Sequence, residues 1–167
     1  MDRETRRLVL GLLARGETMT IATVRPDGFP QATTVAYASA GLTLWFACDR
    51  ECQKVRNIVR SPKVSLTVNG EGRDWGRIQG LSMGALAEVA SGAEARRGLT
   101  LLGKKFPPMA GLAAEERNAT ALVKVTPVAI SVIDYTKGFG HTELYALRSA
   151  TRRRRRGAPR EESRADA

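Results

Sequence analysis

Thr18-Met19-Thr20-Ile21-Ala22-Thr23-Val24-Arg25-Pro26-Asp27-Gly28 is the stretch on which the fold turns. Its first eight residues are rich in β-branched side chains and read as a strand. Pro-Asp-Gly then reverses the chain, proline presetting one backbone angle and glycine accepting the left-handed one. Residues 30 to 38 read as a second strand, with Pro30 tolerated at its start. Ser39-Ala40-Gly41 turns the chain again, and Leu42-Thr43-Leu44-Trp45-Phe46-Ala47 reads as a third strand. Short turns between consecutive strands predict an antiparallel meander.

Outward from this meander the period changes. Residues 3–15 carry Leu8, Val9, Leu12 and Leu13 at helical spacing, and Gly16 follows as a stop. On the other side, residues 51–60 read as a helix with Asp49 as cap and Val55, Ile58 and Val59 as its apolar stripe; Ser61-Pro62 ends it. A fourth strand follows at 63–69, then a flexible loop to Asp74. A long fifth strand covers 77–90, with Gly80 and Gly84 as places for a bulge. Residues 93–104 read as helical, Pro107-Pro108 breaks the chain, and a sixth strand covers 121–135, bent near Pro127. The glycine-flanked segment from Lys137 to Thr142 closes the fold. Six strands with a helix inserted after the third predict a mainly β protein, an antiparallel barrel with peripheral helices. The expected organisation is a packing helix at 1–17, a barrel domain at 18–147 and a disordered tail at 148–167.

The 167 residues suit one domain, and 43% hydrophobic content supplies a core. No apolar run reaches the roughly 18 residues of a membrane span, and no signal peptide is read at the N-terminus, so the expected location is the cytoplasm. Cys48 and Cys52 read as reduced thiols. A C-x3-C pair offers only two ligands where zinc takes four, and the single histidine, His141, is far along the chain, so no metal is expected. Half of the net charge of +10 falls in the last twenty residues, where eight arginines face three acids. Arg152 to Arg156 would hold phosphates in a salt-dependent way. Without interleaved aromatics for stacking, a solvated basic tail is the favoured reading, with weak nucleic-acid contact as its alternative.

The stretch richest in chemistry is Asp49-Arg50-Glu51-Cys52-Gln53-Lys54-Val55-Arg56-Asn57-Ile58. It joins a strand to a helix, where free backbone N–H groups and the helix dipole favour an anion. Lys54 is placed to reach a phosphate there, with Arg50 or Arg56 in support; the plainer reading is a solvated basic helix face. Trp75, in a polar loop, reads as a ring-stacking candidate, whereas Trp45 reads as packing. His141 reads as a contact to flavin, substrate or haem iron, or as a hydrogen-bonded structural histidine.

The order of these pieces, from the first strand through Lys54-Val55-Arg56-Asn57-Ile58 to Pro62-Lys63-Val64-Ser65-Leu66, resembles the flavin-binding half of the pyridoxamine 5′-phosphate oxidase-like family. The resemblance implies a six-stranded antiparallel split β-barrel and a homodimer with FMN in a groove between subunits. It implies that Thr33, Thr34, Val35 and Ala36 lie beside the isoalloxazine ring, that Lys54 holds the phosphate, and that Gln79 reaches the flavin of the partner subunit. Cys52 stands where many members have serine, a better donor than a thiol. Thr33 replaces a phosphate-binding arginine of the true oxidases. Those enzymes also hold pyridoxal phosphate with an arginine and a histidine two residues apart; around His141 no arginine stands at that spacing, so vitamin B6 oxidation is not expected. The implied function is a flavin-dependent oxidoreductase on a small substrate. Its alternatives are a deazaflavin-dependent reductase, a haem-binding or haem-degrading protein, and a non-enzymatic flavin store.

Overall fold

The computed structural model describes residues 1–70 and 74–147; the expected tail at 148–167, with its arginine run, lies outside the described residues. The chain opens with helix α1 (Arg3–Arg15), whose first turn is capped by Asp2, its Oδ1 accepting from Thr5 N at 2.7 Å. Val9, Leu12 and Leu13 turn inward and join the barrel core. The carbonyls at the helix end, which have no partner within the helix, are met by the barrel: Tyr37 Oη donates to Leu13 O at 2.9 Å and Ser39 Oγ at 3.3 Å. Gly16 N donates to Leu12 O, and α1 thereby plugs one end of the barrel.

Strands β1 (Thr18–Val24) and β2 (Pro30–Ala40) form the expected hairpin, paired from Thr18↔Ala36 to Val24↔Pro30. Its turn needs Gly28 at φ 85°, and Asp27 Oδ1 accepts from Phe29 N at 3.1 Å. Then come β3 (Thr43–Asp49), α2 (Gln53–Arg60), β4 (Lys63–Asn69), a 3-10 turn at Trp75–Arg77 and β5 (Gln79–Val89). Helix α3 (Gly92–Lys105), a 3-10 turn at Pro107–Gly111 and short α4 (Ala114–Ala119) lead into β6 (Thr120–Asp134). A 3-10 turn at Tyr135–Lys137 precedes β7 (Thr142–Ala146).

Neighbouring strands run β3-β2-β1-β4-β5-β6, and antiparallel pairing of β3 with β6 closes the six into a barrel. The long β6 makes this possible. One of its edges follows β5, while the other serves β3 over residues 120–125 and β7 over 129–133. Inward-facing Ile21, Leu66, Met83, Val123, Ile130 and Val132 fill the interior against Leu12 and Leu13. The bulge expected near Gly84 and the bend expected near Pro127 are one feature. The register shifts between Gly84 and Ala85, which pair with Ala129 and Pro127, and skipped Val128 accepts from Leu147 N instead.

Three local expectations are corrected. Helix α2 begins at Gln53 with Cys52 as its cap residue, because Asp49 Oδ1 is spent on Glu51 N at 2.6 Å in a turn that precedes the helix. Its buried stripe is Val55, Asn57 and Ile58; Val59 is 73% exposed. The closing segment continues into a seventh strand, which pairs along the second half of β6.

Candidate functional site

The barrel is split beside β2. Strand β3 pairs with β2 only from Tyr37↔Phe46 to Ala40↔Thr43 and then leaves it, its remaining residues pairing with β6 alone. Among the described residues, the β3-facing edge of residues 30–36 therefore has no strand against it. Edge N–H and C=O groups of this kind seek a partner. The strand's alternation turns Ala32, Thr34 and Ala36 to the exposed outer face and Val35 inward. These small outward side chains leave a flat surface. Thr33 lies half-buried on the inward side, and its Oγ1 is buried without a hydrogen-bond partner.

At the lower end of this split lies the β3–α2 junction. Cys52 makes no side-chain cap bond, so the first amides of α2 face outward with the positive end of the helix dipole. Three cations surround this helix start, and the structure separates their roles. Arg50 donates from Nε to Asn118 O at 3.0 Å and from Nη2 to Thr120 O at 2.8 Å, fastening the start of β6. Arg56 donates to Glu51 O and, at 3.2 Å, to Gln53 Oε1. Lys54 has no oxygen partner among the described residues; its Nζ lies 3.9 Å from Cys52 Sγ. The helix start is held in place from below. Buried Asn57 donates to Thr23 Oγ1 at 2.9 Å and to Gln31 Oε1 at 3.2 Å, and accepts from Gln53 Nε2 at 2.8 Å. This chain ties α2 to the hairpin whose second strand is β2.

The other sequence-named residues gather at the opposite end of the barrel. Gln79 opens β5 and donates to Asp134 Oδ1 at 3.0 Å. Burial works to raise the pKa of Asp134, yet hydrogen bonds from Thr136 and Gln79 outweigh it and hold the carboxyl below its ordinary range. Trp75, 68% exposed, stacks on Phe139, 79% exposed, with centroids 6.3 Å apart and planes 24° apart. Tyr135 meets Phe139 edge-on at 5.5 Å. A cavity of about 160 Å³ beside Gln79 is bounded by Leu12, Arg15, Asn69 and Arg77. His141 sits in the β6–β7 turn, its Nε2 2.9 Å from Glu143 Oε1. Glu143 also accepts from Lys137 at 3.0 Å and from Tyr145; hydrogen bonds from Tyr145, His141 and Lys137 pull its pKa down to about 2.

One chain thus brings together β2, Cys52 and Lys54 and leaves Gln79, Trp75 and His141 at the far end. Sequence reasoning missed Asn57, Gln53 and Phe139. No sequence signal marks Asn57, because the stripe read at Val55, Ile58 and Val59 puts it on the opposite side of α2.

The chain matches the pyridoxamine 5′-phosphate oxidase family over residues 7–134. It belongs to that family. Membership and the closed six-stranded barrel agree, and the split that the resemblance implied is present between β2 and β3. Solved structures with this fold include a haem-binding protein from Mycobacterium smegmatis, with 14% identity and TM-score 0.74 over 87% of this chain. The chain spans 59% of the length of that protein. The conserved hypothetical protein Rv2991 from Mycobacterium tuberculosis shows 24% identity and TM-score 0.66, over 90% of this chain and 94% of that one. An F420 reductase shows 27% identity and TM-score 0.56, over 72% of this chain and 94% of that one. No curated protein matches. Two of these neighbours carry a ligand in their names, haem in one and F420 in the other. Among the described residues no group of three or more histidine, cysteine or carboxylate side chains could hold a metal, and no helix is long and apolar enough to cross a membrane.

Proposed function

We propose that this chain binds a flavin-type cofactor in the split beside β2, as one half of a homodimer, and serves as an oxidoreductase for a small substrate. The observation that carries this reading is the alignment of three open features. Among the described residues these are an unpaired stretch of β2 edge, a helix start with no side-chain cap, and Lys54 with no oxygen partner beside it. The residues present fit such a group. Backbone groups of residues 30–36 suit the polar edge of a flat ring, and the outward Ala32, Thr34 and Ala36 let the ring lie close. The α2 amides and Lys54 suit a phosphate, with Cys52 as a weak additional donor. Gln79 of the partner subunit would supply the contact that one chain cannot. When bound, a flavin accepts and returns a hydride or single electrons; the protein's share is to bind, orient and shield it.

The leading cofactor is FMN. A deazaflavin is the second reading, and the specific observation in its favour is the 27% identity to the F420 reductase. Titrating the purified protein with FMN, F420 and haem, read by each compound's absorbance, distinguishes the three. The phosphate contact has its own test. A charge-assisted hydrogen bond contributes roughly 1.5–3 kcal/mol, so Lys54→Ala should weaken FMN binding about ten- to a hundredfold. Riboflavin, which lacks the phosphate, should bind both proteins alike. Unchanged FMN affinity would move the phosphate away from Lys54; equal loss for riboflavin would make Lys54 a support of the fold.

A further inference from the structure

We propose that Cys48 and Cys52 form a reversible dithiol–disulfide couple that reacts with small-molecule disulfides and, when closed, weakens the phosphate end of the split. The second half of this statement rests on the cofactor reading above; the first does not. Cys48 is near the end of β3 and Cys52 is the cap residue of α2, so the turn between them folds the two side chains together. Their sulfurs are 3.7 Å apart, with the Cys52 thiol donating to Cys48 Sγ. A disulfide requires about 2.05 Å between sulfurs, a closure on the scale of side-chain rotation. Both cysteines are free and neither is fully buried, so a small disulfide can approach.

The two thiols have different tasks. Burial, with the neighbouring Cys52, pushes the Cys48 thiol up to about 12, so it stays protonated at neutral pH and does not start the exchange. Cys52 stands at the helix start with the Lys54 ammonium 3.9 Å from its sulfur and is the attacking group. Its thiolate attacks one sulfur of a small disulfide. A Cys52 mixed disulfide forms, the incoming S–S bond breaks, and one small thiolate leaves with the electron pair and takes up a proton. Cys48, losing its proton to solvent base, then attacks Cys52 Sγ and expels the second small thiolate. Two protein thiols are oxidised and one small disulfide is reduced to two thiols. The close placement of Cys48 makes the second step intramolecular. In the reduced pair the single Cys52 S–H, donated here to Cys48, is free to rotate toward the helix start; closure fixes Cys52 Sγ toward β3 and removes that donor. FMN affinity should then fall about three- to tenfold, the range for losing one neutral hydrogen bond. Riboflavin affinity should not change.

The test treats the full chain with oxidised glutathione, quenches with N-ethylmaleimide and measures intact mass. The expected product is two hydrogens lighter, carries no maleimide and no glutathione, and is restored by reductant. Cys48→Ser should stop at one glutathione on Cys52, and Cys52→Ser should take none. Two retained glutathiones, two alkylatable thiols or chain-to-chain crosslinks would overturn the couple. If the internal disulfide forms but FMN binds both states alike, the link to the phosphate end is wrong. If reduced protein binds neither FMN nor riboflavin, the cofactor reading fails, and the mass alone still decides the couple.

Discussion

Asn57 shows how one side chain can serve both the fold and the site. It is 1% exposed, and its amide spends both donors on Thr23 and Gln31 while its oxygen accepts from Gln53. Replacing a buried partner strands the groups it satisfied, each at about 1–3 kcal/mol. Asn57→Leu should therefore lower the unfolding free energy by about 1–3 kcal/mol in urea titrations despite its added apolar surface. A neutral result would mean that water readily replaces the amide. Glu143 is a second case at this scale. Its folded pKa of about 2 lies below the ordinary carboxylate value of 4.5, because Tyr145, His141 and Lys137 all bond to the charged form. A depressed acid stabilises the fold above its unfolded pKa and loses that contribution as pH falls through the folded value. The stability gap between wild type and Glu143→Gln should be constant above about pH 5 and shrink between about pH 4.5 and about pH 2. A gap that persists at the acid end would assign the effect to shape and not to charge.

Helix α3 lies over the outer face of the barrel, and its closeness is set by a glycine. A Cβ at Gly98 would lie 2.6 Å from Trp45 Cδ1, in a ring that is 1% exposed. In an exposed helix, Gly→Ala gains up to about 1 kcal/mol. Overpacking against a fixed ring costs about 1–3 kcal/mol, and here the second effect is larger. Gly98→Ala should be destabilising by about 1–2 kcal/mol in denaturant unfolding; a stabilised variant would show that α3 sits farther from Trp45. The same element scale explains what the sequence made legible. Strands β1 and β4 and most of β6 alternate buried with more exposed positions, which a period of two reveals, whereas β3 buries Leu44, Trp45 and Phe46 in succession. Strand β7 has none of its five residues fully buried, so no apolar alternation marks it. The start of α2 was misplaced because an aspartate serves a turn and a helix cap equally well, and only the register of β3 with β6 decides between them. The split itself is not legible locally. It arises because β3 stops pairing with β2 at Phe46 while its other edge stays on β6 to Asp49, a pairing between segments about 75 residues apart.

Over the whole molecule, the decisive fact is that Lys54 and Gln79 lie at opposite ends of one barrel. Strands β4 and β5 span that length: β4 starts just after α2 at Lys63, paired with Leu86, and ends at Asn69, paired with Gly80 beside Gln79. If both residues serve one cofactor, they must come from two chains, and a two-fold dimer supplies this twice. The protein should then sediment at about twice 18.1 kDa at micromolar concentration. A stricter test uses two defective chains. Lys54→Ala damages the phosphate end and Gln79→Ala the far end, so each homodimer carries two impaired sites. In a mixed dimer, one site receives both substitutions and the other receives neither. Co-expressed Lys54→Ala and Gln79→Ala chains should therefore recover FMN binding of wild-type affinity at about half the sites of each mixed dimer. Were both residues of a site drawn from one chain, every site would stay impaired and no recovery would appear. Gln79→Ala homodimers that kept wild-type FMN affinity would place Gln79 outside the cofactor groove and leave its bond to Asp134 as its whole role.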